Sequence, residues 1–141
     1  MEVTFALAIF AVVTAITAQA LVTFYVAIDV QEQRTEAIRV CKDVAGAVRE
    51  QRDQLDPLEW PANLVAWVEG KNDETWPEFR RQNDDGNDDL PGQEVTVECT
   101  NRDGGDPAAG DTVVQVSVYC TWEDRSGRPL EAQVVTYLAN E

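Results

Sequence analysis

The stretch VTFALAIFAVVTAITAQALVTFYVAI (residues 3–28) carries no charged side chain, and Gln19 is its only strongly polar residue. As a helix rising about 1.5 Å per residue it spans roughly 39 Å, more than the apolar core of a bilayer. From Asp29 the composition changes while the helical period continues. Val30, Ala37, Ile38, Cys41, Val44, Ala45 and Val48 recur at helical spacing, and Glu32, Arg34, Arg39, Asp43, Arg49 and Glu50 fill the other side. No proline occurs before Pro57. The pattern therefore predicts one helix from residue 3 to about residue 52, apolar all round in its first half and amphipathic in its second.

The 141-residue chain has a formal charge of −15, unevenly placed: six acids against five bases in residues 1–52, and twenty against six in residues 53–141. So acidic a C-terminal portion repels phosphate backbones, which excludes DNA or RNA as a partner and argues against docking on anionic lipid. The three cysteines form no CxxC pair and there is no histidine. A His/Cys zinc site is thereby excluded, and the commonest general base near neutral pH is missing. Asp and Glu are abundant, but no two are marked out as a catalytic pair, so the chain is read as non-enzymatic. A cleaved signal peptide ending at Ala18-Gln19-Ala20 is the competing account of the N-terminus. It lacks a basic n-region, since no Lys or Arg precedes Arg34, and the apolar run continues past the cut to Ile28.

Residues 53–92 are punctuated by Pro57, Trp60-Pro61, Trp76-Pro77 and Pro91-Gly92. They read as an irregular loop packed back onto the helix, with a short helix over Asn63–Val68 that sets Leu64, Trp67 and Val68 on one face. Within it, Asn83-Asp84-Asp85-Gly86-Asn87-Asp88-Asp89 gathers oxygen donors around a glycine. Asp84, Asp85, Asp88 and Asp89 are the candidate ligands for a calcium ion, but the spacing of a regular calcium loop and its closing Glu are absent, and a solvated acidic loop is the simpler reading.

The last third alternates with period two in three runs: Val95 and Val97; Val114, Val116, Val118 and Cys120; then Leu130, Ala132, Val134, Thr136 and Leu138. This predicts an antiparallel sheet with one buried face. Glu123-Asp124-Arg125-Ser126-Gly127 reads as a tight hairpin turn, and Asn101–Asp111 as a longer connection. If β-pairing were symmetric about that connection, Cys99 would face Val113 and lie seven residues, roughly 23 Å, from Cys120, beyond the ~7 Å Cα separation a disulfide allows. Cys41, on the apolar stripe that must cover the sheet, is the better partner for either. The alternative is three buried thiols packing as small apolar side chains.

Met1-Glu2-Val3-Thr4-Phe5-Ala6-Leu7-Ala8-Ile9-Phe10-Ala11-Val12-Val13, a lone Glu heading a membrane-length apolar helix, resembles the N-terminus of type IV pilins and of type II secretion pseudopilins, most closely the minor, priming-type subunits. The run Val-Ser-Val-Tyr-Cys-Thr-Trp, an acidic Gly turn and Val-Val-Thr-Tyr-Leu look like the closing hairpin of such subunits. In that family a short basic leader ending in Gly precedes the Glu, and this chain begins one residue before it. The helix-kinking proline of many major pilins is replaced by Gln19. The resemblance implies that Glu2 meets the terminal amine of a neighbouring subunit and sets register in a filament. It also implies that other pilin-like subunits are the partners, that the cytoplasmic membrane holds the subunit before assembly, and that the head lies outside the cell or in the periplasm. The alternative is that Glu2 merely caps the helix at the membrane surface.

The expected architecture is α+β: a long N-terminal helix packed on a C-terminal antiparallel sheet of about three strands. Residues 1–28 would form the membrane or filament-core half of the helix and 29–141 the head, divided into helix (29–52), loop (53–92) and sheet (93–141). The expected function is a structural subunit of a pilus-like filament. A single-pass anchored module, whose acidic head captures a cation or a basic partner, is the alternative.

Overall fold

The computed structural model describes residues 2–74, 76–79 and 90–140. Helix α1 runs without interruption over Glu2–Gln54, as the absence of proline allows. It carries Arg52, a cation, in its last turn, and the chain then turns through a short 3-10 segment, Pro57–Glu59, capped by the Asp56 carboxylate accepting from the Leu58 N–H at 2.9 Å. Helix α2 covers Ala62–Asp73, and a second 3-10 turn covers Pro77–Phe79. Strands β1 (Glu94–Thr100), β2 (Val113–Glu123) and β3 (Pro129–Ala139) form one antiparallel sheet in the order β1-β2-β3. The chain divides into two compact units, residues 1–33 and 34–141.

In the second unit, α1 packs on the sheet. The buried stripe is Ala37, Val40, Cys41, Val44, Ala45 and Val48. Facing it, the sheet buries alternate residues: Val95 and Val97 of β1; Val114, Val116, Val118, Cys120 and Trp122 of β2; Ala132 and Leu138 of β3. The Cys41 thiol donates to the Ala132 carbonyl at 3.7 Å, Arg49 Nη2 to Thr136 Oγ1 at 3.1 Å, and Arg52 to the Ala139 carbonyl. Contacts that advance together along both elements mean that α1 runs in the direction of β3. The opposite sheet face is polar, with Glu94, Thr96, Glu98, Glu131 and Gln133 exposed and only Val113, Val135 and Tyr137 as exposed large apolar residues.

The register differs from the symmetric pairing predicted above. Cys99 pairs with Val116, not Val113, and Cys120 pairs with Val95. Residues paired across an antiparallel ladder share a face, so pairing Cys99 with Val113 would set the inward row of β1 against the outward Val113, Gln115 and Ser117. A register that keeps both apolar rows on one side must pair odd positions of β1 with even positions of β2. The connection absorbs the offset in two local turns: Asn101 N–H donates to the Gly105 carbonyl at 2.8 Å, and Asp111 N–H to the Ala108 carbonyl at 3.0 Å.

The described residues between 53 and 79 also depart from the expected irregular loop. Their helix continues five residues beyond Val68, to Asp73, and α2 packs against β1. Leu64 and Val68 enter the core, and Trp67 packs on its margin. The extension places Asn72 beside the outer edge of β1, where its Nδ2 donates to the Val97 carbonyl at 2.7 Å and its Oδ1 accepts the Val97 N–H at 3.0 Å. A side-chain amide thus occupies the position of a fourth strand and satisfies backbone groups that an edge leaves open. The buried Trp76 indole donates to the same Oδ1 at 2.8 Å and meets Trp67 edge-on with centroids 5.6 Å apart. Replacing Asn72 with Ala strands the Val97 N–H and carbonyl and the Trp76 N–H; the expected loss of stability is about 2 kcal/mol, measured by chemical denaturation of the detergent-solubilised chain against wild type.

The β2–β3 hairpin closes as its sequence predicts. Asp124 N–H donates to the Arg128 carbonyl at 2.9 Å, and the intervening Arg125-Ser126-Gly127 turn ends with Gly127 at φ 76°, the left-handed conformation a three-residue hairpin loop requires. Asp124 Oδ1 accepts from the Ser126 hydroxyl (2.5 Å), Ser126 N–H (2.8 Å) and Arg128 N–H (2.9 Å), and Oδ2 lies 3.1 Å from the Arg128 guanidinium. The Ser126 hydroxyl first, then the Arg128 N–H, hold the carboxyl down at about 2, against an ordinary value near 3.9. A depressed folded-state value stabilises the protein above the unfolded value, and that contribution is lost as pH falls from about 4 to about 2. Acid titration of stability should therefore be steeper in that window for wild type than for Asp124→Ala.

Candidate functional site

The apolar half of α1 is the feature that calls for a function. Residues 3–28 are exposed along their whole length, Phe5 and Phe10 to 71%. Fourteen large apolar side chains between Val3 and Ile28 face outward. At about 1.5–3 kcal/mol for each side chain left in water, that surface amounts to some 20–40 kcal/mol, more than the 5–15 kcal/mol by which a domain is ordinarily stable. It needs an apolar cover. This helix is long and apolar enough to cross a membrane: its most apolar 18-residue window has a mean hydropathy of 2.3, and none of that window is buried. Its polar groups are compatible with such surroundings, because the hydroxyls of Thr14, Thr17 and Thr23 donate to the carbonyls of Phe10, Val13 and Gln19 at 2.8–3.0 Å. Ala8, Ala11, Ala15 and Ala18, at spacings of three and four, form a low strip along one side.

Glu2 is the first residue of α1, and its side chain lies outside the described residues, as do Asp84, Asp85, Asp88 and Asp89. Among the described residues no group of three or more His, Cys, Asp or Glu side chains could hold a metal ion. The cysteines are all described, as free thiols. Cys41 and Cys120 are buried and brought together; Cys99 is not with them. It lines a groove of about 510 Å³ between α2, β1 and the 101–111 connection, together with Val65, Val68, Glu69, Asp106 and Pro107. Burial there, and secondarily the charge of Glu69, pushes the Cys99 thiol up to about 11. Cys99 is therefore a neutral thiol at physiological pH and a poor nucleophile.

Two contributors escaped sequence reasoning. Val40 is fully buried beside Cys41 on the α1 stripe, and its place in the helical period was the signal for it. Asn72 had no such signal, because an asparagine near a helix end reads as a solvated cap until the strand it bonds is in place.

No family model, curated protein or solved structure matches the chain. Among the described residues the core cluster contains none before Ala37, so the described part of the apolar half of α1 does not belong to it. Deleting residues 1–28 should give a folded protein that is soluble without detergent. Circular dichroism with a cooperative melt, and a monodisperse profile on gel filtration, would check this outcome; an unfolded fragment would refute the division.

Proposed function

We propose that the chain is a subunit of a pilus-like or pseudopilus filament. Its apolar helix half sits in the cytoplasmic membrane before assembly and bundles with the helices of neighbouring subunits in the filament, and its acidic head lies outside the cytoplasm. The observation that carries this reading is the uncharged, fully exposed helix of residues 3–28 headed by a single carboxylate, Glu2. A bilayer and a bundle of like helices are both apolar covers, so moving from one to the other keeps the fourteen large side chains out of water. Close approach of helices is favoured by small side chains, which the Ala8-Ala11-Ala15-Ala18 strip supplies. Glu2 then sets the axial register: a carboxylate among apolar helices needs a cation or a proton, and the free terminal amine of a neighbour supplies the cation at one fixed height along the helix.

The reading as an anchored binding module draws on the acidity of the head, and substitution at Glu2 separates the two. An anchor needs only apolarity and tolerates Gln. A register-setting carboxylate does not. Glu2→Gln should insert in membranes like wild type, measured by fractionation and carbonate extraction, while its recovery in sheared filaments falls by about tenfold or more, the effect of losing one charge-assisted hydrogen bond. Incorporation at the wild-type level would reject the assembly role and leave the anchored module.

A further inference from the structure

Three small residues meet where α1 crosses the sheet. Cys41 belongs to the buried stripe of the helix and Cys120 to the inward row of the central strand β2, and neither has any exposed surface. Ala132 on β3 is the register partner of Cys120. The Cys41 thiol donates to the carbonyl of that same Ala132 at 3.7 Å, which sets its sulfur over the Cys120/Ala132 pair, close enough for each thiol to perturb the ionisation of the other. A larger residue at 132 would fill the space beside Cys120 that the Cys41 side chain enters. Cys99 is excluded from this cluster. It pairs with Val116, four residues from Cys120 along β2, or roughly 13 Å at about 3.3 Å per residue, twice the Cα separation a disulfide tolerates.

We propose that Cys41 and Cys120 are oxidised to an intramolecular disulfide that staples α1 to the central strand, and that Cys99 remains a free thiol. The proposal draws on the reading that the head folds outside the cytoplasm, where thiols are oxidised. The oxidant is a disulfide, either of a low-molecular-weight thiol or of a dithiol oxidase. The Cys41 thiolate attacks one sulfur of the oxidant and expels the other as a thiolate. The Cys120 thiolate then attacks the Cys41 sulfur of the mixed disulfide and releases the second thiolate, so that two protons and two electrons pass to the oxidant and one S–S bond forms. Exchange takes place while the sheet is still closing on α1, since both sulfurs are inaccessible in the folded protein. The same burial then shields the bond from reductants.

The staple closes a loop of about 80 residues, long enough to remove much conformational entropy from the unfolded chain. Full-length protein is solubilised from membranes in detergent, denatured with an alkylating reagent and no reductant, and digested with trypsin. Cleavage after Arg39, Lys42, Arg81, Arg102 and Arg125 puts each cysteine in its own peptide. The expected result is a cross-linked peptide joining Cys41 to Cys120, with Cys99 alkylated, and a melting temperature that falls by roughly 10 °C or more on reduction. Cys99→Ser should keep both the cross-link and the reductant-sensitive melt, whereas Cys41→Ala should lose the sensitivity whatever its packing cost. A parallel sample, reduced and refolded in a glutathione redox buffer, reads the geometry independently of compartment. Three alkylated cysteines in the refolded sample, or a peptide linking Cys99 to either partner, would overturn the proposal. A cross-link in the refolded sample but free thiols in the protein taken from cells would instead overturn the placement of the head outside the cytoplasm.

Discussion

A sheet of three strands has one apolar face, and the structure depends on how that face is covered. Val116, Val118 and Cys120 on the central strand are fully buried only because the second half of α1 lies over them with Val40, Cys41, Val44 and Val48. Neither partner is stable alone. The amphipathic helix half would expose a row of valines, and a bare three-stranded sheet would expose its entire inner row. The side chains at the contact are mostly Val, Ala and Cys, small and compact, so helix and sheet approach closely and the core is made of many modest contacts.

The sheet edges are managed separately. α2 covers β1, and there Asn72 satisfies backbone groups directly, backed by the Trp76 indole bonded to the same amide oxygen. The far end of β3 is tied to the last turns of α1 by Arg49 and Arg52. These polar links fix where the helix sits along the sheet, which apolar contacts, being non-directional, leave loosely specified. Trp60, whose indole donates to the Asp111 carbonyl at 2.9 Å, ties the segment after α1 to the start of β2 in the same way.

One helix thus carries two surfaces with different requirements. Residues 37–48 present a narrow apolar stripe that the chain itself covers, whereas residues 3–28 are apolar all round and exposed. In the proposed filament subunit the division is functional: the head folds on its own stripe, and the remaining apolar surface is reserved for lipid and then for neighbouring subunits. The acidic surface of the head, with twenty acids against six bases after residue 52, suits a domain that stays in solvent while its helix does not.

The sequence by itself determined the elements and their faces. Absence of charge over residues 3–28, the helical recurrence from Ala37 to Val48, the alternation in all three strands and the Asp124-Arg125-Ser126-Gly127 turn are local patterns, each set by the covalent period of helix or strand or by the φ a turn demands. Even the correct parity of the β1–β2 register was implicit, since Val95 and Val97 can share a face only with even positions of β2. Tertiary structure alone decided which even position. That choice depends on how the 101–111 connection folds into its two turns, and on α2 holding β1 from its far side. The same holds for α2 itself: Gly70 weakens helical propensity past Val68, and the helix reaches Asp73 because Asn72 finds the Val97 backbone only in a helix of that length. The meeting of Cys41 with Cys120 is of this kind as well. Spacing places each cysteine on an inward face, but which residues of two inward faces touch is fixed by the crossing of helix and sheet, a relation between positions 79 residues apart that no local period encodes.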